Sequence, residues 1–181
     1  MLRNTFLWLA ASLCLSSTAI FAEDKPSETI HPGSTAYLDS LNGFRGVKFG
    51  TPFAEFKGLT IDQDRGQLKL YVKKQGEDLN LGLAKLGTIV YHFFDGKFYG
   101  VSLHATDVAD TRTLLAIVST GFGNGEKLDE LNSIWQGEVA WAQFSQNPST
   151  GEGTLFIGNS ELSRSLGEYE QKAAAEAAAQ L

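Results

Sequence analysis

The chain has three histidines, His31, His92 and His104, and one cysteine, Cys14, which lies in an apolar N-terminal stretch. Beyond that stretch it has no thiol nucleophile, no zinc thiolate and no ligand for an iron–sulfur cluster. His92 and His104 lie in or beside a hairpin, because residues 89–94 and 98–103 flank Asp95-Gly96, a favoured tight-turn dipeptide. With a two-residue loop, His92 faces Tyr99 and His104 faces Gly87, so the imidazoles point to opposite sides of the sheet. A three-residue bulged loop turns them to the same side, six ladder positions apart, or about 20 Å at roughly 3.3 Å per residue. In neither register do they share a metal or act as a catalytic pair.

Other patterns that resemble chemistry fail on position. The acid pairs Asp62/Asp64 and Asp129/Glu130 fall in expected loops rich in Gly, Lys and Asn, without an apolar pocket to separate their pKa values, and read as solvated loop acids. Gly121-Phe122-Gly123-Asn124-Gly125 follows a helical stretch instead of opening one, so it is not a phosphate loop. Asp62-Gln63-Asp64-Arg65-Gly66 starts like a calcium loop but has Lys73 where the closing glutamate belongs. No serine sits in a Gly-x-Ser-x-Gly elbow. No catalytic residue, metal site or cofactor is expected. The enzymatic alternative is a small hydrolase using His92 or His104 as base.

Aromatic content is the unusual feature: beyond residue 22 there are ten Phe, five Tyr and two Trp. Tyr91, His92, Phe93, Phe94, Phe98 and Tyr99 put rings on both faces of the hairpin, where a one-sided sheet would alternate apolar and polar. Either the hairpin is central and covered on both faces, or one aromatic face is exposed and binds something. The binding alternative names Tyr91, His92, Phe94 and Tyr99, with Arg45 as a polar contact.

The elements that must position these residues follow from periodicity. A short helix is expected from Ser34, with Tyr37, Leu38 and Leu41 on one side and Gly43 past its end. Residues 44–49 alternate as a short strand, and Thr51-Pro52 caps a brief helix carrying Phe53 and Phe56. Residues 67–75 form a strand with Leu68, Leu70 and Val72 on one face and Lys69, Tyr71 and Lys73 on the other. After the hairpin, Asp107 caps a helix through Leu114, Leu115 and Val118 that stops at Gly121. Strands around Val139–Phe144 and Thr154–Ile157 follow, and from Ser160 the chain turns helical and then alanine-rich. Phe44-Arg45-Gly46-Val47 and Phe98-Tyr99-Gly100-Val101 share a Phe-x-Gly-Val pattern, which raises the alternative of two strand–helix–strand copies. The expected class is α+β: a mostly antiparallel sheet with short helices on one face.

The chain has 181 residues and a formal charge of −6. An acidic chain is ill suited to nucleic acid, whose phosphates are bound mainly by Lys and Arg. Arg3, the apolar run 6–15 and small residues around Ala19 and Ala22 have the order of a secretory signal peptide. That run is too short for a membrane span. Cleavage near Ala22 is expected, giving an exported protein, periplasmic or secreted, with charge −7 and no transmembrane segment. The expected organisation is signal 1–22, leader 23–33, one α+β domain 34–162 and an Ala-rich helical tail 163–181.

Asn42-Gly43-Phe44-Arg45-Gly46-Val47-Lys48-Phe49-Gly50-Thr51 and Tyr91-His92-Phe93-Phe94-Asp95-Gly96-Lys97-Phe98-Tyr99 resemble small exported bacterial proteins of unknown function. Those proteins share a Phe-Arg-Gly-x-x-Phe/Trp-Gly-Thr opening, and the resemblance spans residues 42–162. The order of elements is more distantly similar to the SmpA/OmlA domain and to β-lactamase-inhibitor repeats. Those are binding modules, but this chain lacks their acylated or disulfide-bonded cysteines. The resemblance implies an exported, non-catalytic binding module whose partner is another envelope protein or a small ligand. The remaining alternative is a structural envelope protein.

Overall fold

The computed structural model describes residues 30–180, so the expected signal sequence and most of the expected leader lie outside the described residues. The first elements are α1 (Thr35–Leu41), β1 (Gly43–Phe44), β2 (Val47–Lys48), a 3-10 turn (Phe53–Glu55), β3 (Leu59–Arg65) and β4 (Leu68–Lys73). Then come β5 (Asn80–Leu81), β6 (Ala84–Lys85), β7 (Thr88–Phe94), β8 (Lys97–Ala105) and α2 (Val108–Phe122). The last are β9 (Glu126–Lys127), β10 (Asn132–Gln136), β11 (Ala140–Gln146), β12 (Gly153–Asn159) and α3 (Ser160–Ala178). Eight strands form one sheet in the order β3-β4-β7-β8-β12-β11-β10-β9, every pairing antiparallel. The α+β class with a large antiparallel sheet is therefore what the chain adopts.

The sheet is covered on both faces, and strand alternation decides which residue goes where. Ile89, Phe93, Phe98, Val101, Leu103, Leu155 and Ile157 point to the face carrying α1 and α2, where Leu38, Leu114, Val118 and Phe122 meet them. Phe94, Tyr99 and Phe156 point the other way and pack with Leu68 against Leu162, Leu166 and Tyr169 of α3. The expectation of helices on one face is thus corrected. The last helix runs continuously from Ser160, and Leu166 is buried within it. A domain ending at residue 162 would cut this helix through its packed part.

Local sequence explains most of the elements. Asp107 caps α2 by accepting from the Asp110 N–H at 2.8 Å, and Asn159 caps α3 by accepting from the Leu162 N–H at 3.0 Å. Asp95 and Gly96 both have positive φ (49° and 71°), as the tight hairpin turn between β7 and β8 requires. Arg45 and Gly46 do the same (49° and 79°), so residues 44–49 fold as two short strands about a turn, not as one strand. The two Phe-x-Gly-Val stretches are therefore not copies, since the second lies inside the long central strand β8. Thr51 does not cap a helix; its hydroxyl donates to the Lys48 carbonyl at 2.7 Å, and a single 3-10 turn follows Pro52. The stretch 59–65, expected as loop, is an edge strand with a bulge at Asp62, and its exposed charges suit an unpaired edge.

Candidate functional site

The five residues named from sequence do not form one surface. Tyr91 points to the α1/α2 face, whereas His92, Phe94 and Tyr99 point to the α3 face. Phe94 and Tyr99 are buried at 7% and 6% exposure, so the aromatic hairpin is a covered core element. Burial, with a minor contribution from Glu170, raises the Tyr99 phenol to about 12.

The histidines take a register that neither sequence alternative anticipated. The turn has two residues, but Tyr99 is an extra residue bulged out of β8, so His92 pairs with Gly100 and Thr88 with His104. That shift by one turns both imidazoles to the same face, four ladder positions apart. His92 Nε2 lies 2.8 Å from Ser102 Oγ, and His104 Nδ1 lies 3.0 Å from Thr154 Oγ1. Burial, aided by the nearby His104, lowers His92 to about 4, and burial also lowers His104. No carboxylate pairs with either ring among the described residues. A general base working near neutrality needs an imidazole that titrates there and a group to orient it, so the geometry gives the hydrolase alternative no support. Among the described residues no group of three or more His, Cys, Asp or Glu is placed to hold a metal ion.

A mostly apolar concave feature lies elsewhere, on the α1/α2 side. A cleft of about 870 Å³ opens between α1, α2 and two small hairpins, β1–β2 and β5–β6. That size is within the roughly 300–1,000 Å³ range of small-molecule sites. Its floor is the sheet itself, through Leu103, Leu155 and Ile157. Ala116 and Ile117 of α2 form one wall and Leu41 of α1 another, and Leu83 stands at the rim, 93% exposed at the tip of β5–β6.

Polar contacts hold these walls in place. Asp39 accepts the backbone N–H groups of Glu138, Val139 and Ala140 at 2.8, 2.9 and 2.8 Å, which fixes α1 to the β10–β11 turn. Lys48 donates to the Ser40 and Leu41 carbonyls at 2.8 and 2.7 Å, closing the C-terminal end of α1. Arg45 donates to Glu77 at 2.8 Å and to the Asp78 and Asn80 carbonyls at 2.6 and 3.1 Å, and so holds β1–β2 against the segment leading into β5. The Tyr91 hydroxyl donates to the other Glu77 oxygen at 3.1 Å. Burial first, then the charge of Glu77, pushes the Tyr91 phenol well above its ordinary value. Of the five named residues, only Arg45 borders the cleft, and its guanidinium serves as a clamp.

The sequence carried a signal for this cleft that helix reading alone passes over. Leu114-Leu115-Ala116-Ile117-Val118 is apolar around more of α2 than one buried stripe needs. Leu114 and Val118 are buried, while Ala116 and Ile117 line the cleft. Compared with known proteins, the chain matches no family model, no curated protein and no solved structure.

Proposed function

We propose that this chain is an exported, non-catalytic binding module that takes a small apolar ligand into the cleft between α1 and α2. The observation that carries the reading is the cleft: an apolar site of ligand size, floored by the sheet core and walled by elements pinned through Asp39, Arg45 and Lys48. The N-terminal order of Arg3, an apolar run and small residues supports export. The neutral, carboxylate-free histidines favour binding over hydrolysis.

Titration with a neutral environment-sensitive dye, N-phenyl-1-naphthylamine, tests this directly. Saturable fluorescence enhancement is expected, and Ala116→Trp, which fills the cleft from an exposed helix position, should abolish it while circular dichroism stays unchanged. Enhancement that is absent, or equal in both proteins, would sink the proposal.

A further inference from the structure

We infer that the cleft's ligand is a fatty carboxylate, a single-chain amphiphile whose head group rests against Lys48 while its chain lies along the floor; this rests on the cleft being a binding site. Charge at the mouth carries the inference. The whole chain is at −6, yet among the described residues no Asp or Glu lines the cleft, and the charged residues that line it are the cations Arg45 and Lys48.

These two cations are not equivalent. Arg45 is neutralised by Glu77, whose side chain is 9% exposed, so its charge is already used. Lys48 has no carboxylate partner among the described residues. Its ammonium has three N–H donors. Two are held by the Ser40 and Leu41 carbonyls at the end of α1, which leaves one for a ligand. The same carbonyls carry the partial negative charge of a helix end and keep the ammonium in place.

One uncompensated positive charge with one free donor matches a monoanionic carboxylate better than a phosphate monoester, which carries up to two charges. The apolar floor of Leu103, Leu155 and Ile157 then accounts for a chain. Each methylene removed from water there should tighten binding roughly fourfold. Leu83, 93% exposed at the rim, would be partly covered by the chain.

Displacement of the naphthylamine dye by twelve-carbon ligands separates the parts of this claim. Dodecanoate is expected to displace at a concentration about tenfold below dodecanol and dodecyltrimethylammonium, the margin of one charge-assisted hydrogen bond. Lys48→Met should remove that margin, read as the ratio of dodecanoate to dodecanol displacement within the same variant, so that any loosening of the α1 wall affects both ligands alike. Lys48→Arg, which keeps the cation and can still reach the α1 carbonyls, should preserve it if the Met variant does not fold. Equal displacement by all head groups, or an unchanged margin in Lys48→Met, overturns the head-group assignment while leaving the cleft intact. Dodecyl phosphate displacing ahead of dodecanoate overturns the carboxylate. A dye that never binds defeats the underlying reading instead.

Discussion

On the α1/α2 side of the sheet the rings of Phe49, Phe53, Phe56, Phe93 and Phe98 interlock, with centroids 4.9–5.6 Å apart for the Phe–Phe pairs. On the α3 side the sheet carries His92, Ser102, His104 and Thr154 as a polar row, and α3 seals one end with Leu162, Leu166 and Tyr169. One face is dry, aromatic and opens into a cleft where its helices part. The other sets that polar row beside a smaller aromatic cluster of Phe94, Tyr99 and Phe156 and is capped by a single helix. The difference shows that the same strands supply both the floor of a cleft and a half-buried polar row behind it.

The largest expected effect tests the weight of the two faces. Phe98 is 0% exposed and has four aromatic neighbours, so Phe98→Ala should cost about 3–5 kcal/mol. Leu166, at 9% exposure on the packed side of α3, should cost about 2 kcal/mol when cut to alanine. Urea denaturation of the two variants measures both. If the order is reversed, the aromatic face is not the main core.

The second effect is on the polar face and depends on pH. His92 has a pKa of about 4 in the folded chain against an ordinary 6.5, because burial disfavours its charged form. Between those values the unfolded chain binds the proton and the folded chain does not. Stability is therefore full above pH 6.5 and falls as the pH drops towards 4, by up to about 3 kcal/mol. His104, also lowered by burial, adds to the loss in the same direction. His92→Gln keeps a polar partner for Ser102 and should flatten part of this slope. An identical pH profile in the variant would mean that the imidazole is not held neutral.

How much of this was legible in the sequence depended on how local the cause was. The β7–β8 hairpin, the strand through Leu68–Lys73, the Asp107 cap and the short helix from Ser34 are written in adjacent residues, and the structure has them. The bulge at Tyr99 was not legible, because Asp95-Gly96 sets the turn but a shift further along the ladder depends on tertiary packing of Tyr99 and Phe156. That one residue put His104 on the same face as His92. The edge strand 59–65 was hidden for a related reason: its charges read as loop, yet an edge strand carries such charges against mispairing. The cleft was least legible of all. Its walls come from α1, α2 and two hairpins widely separated in sequence, and Arg45 reached it only as a guess about the wrong surface.

The smallest effect concerns where the covered face ends. Along α3 the last residue packed on the sheet is Tyr169, whose ring lies 5.8 Å from that of Phe94. From Glu170 onward every described side chain is exposed, and the only ion pair there, Lys172–Glu176 at 4.0 Å, is 79% and 67% exposed. Alanine favours helix but buries little, so this stretch is held by propensity and not by packing. Deleting residues 173–181 should therefore change stability by no more than about 0.5 kcal/mol in the same urea assay. Tyr169→Ala, which removes an edge of the apolar cluster, should cost clearly more. A truncated protein that loses more than the tyrosine variant, or that changes its elution on sizing, would mean that the tail touches another copy. The polar face would then be completed by a second chain instead of ending at Tyr169.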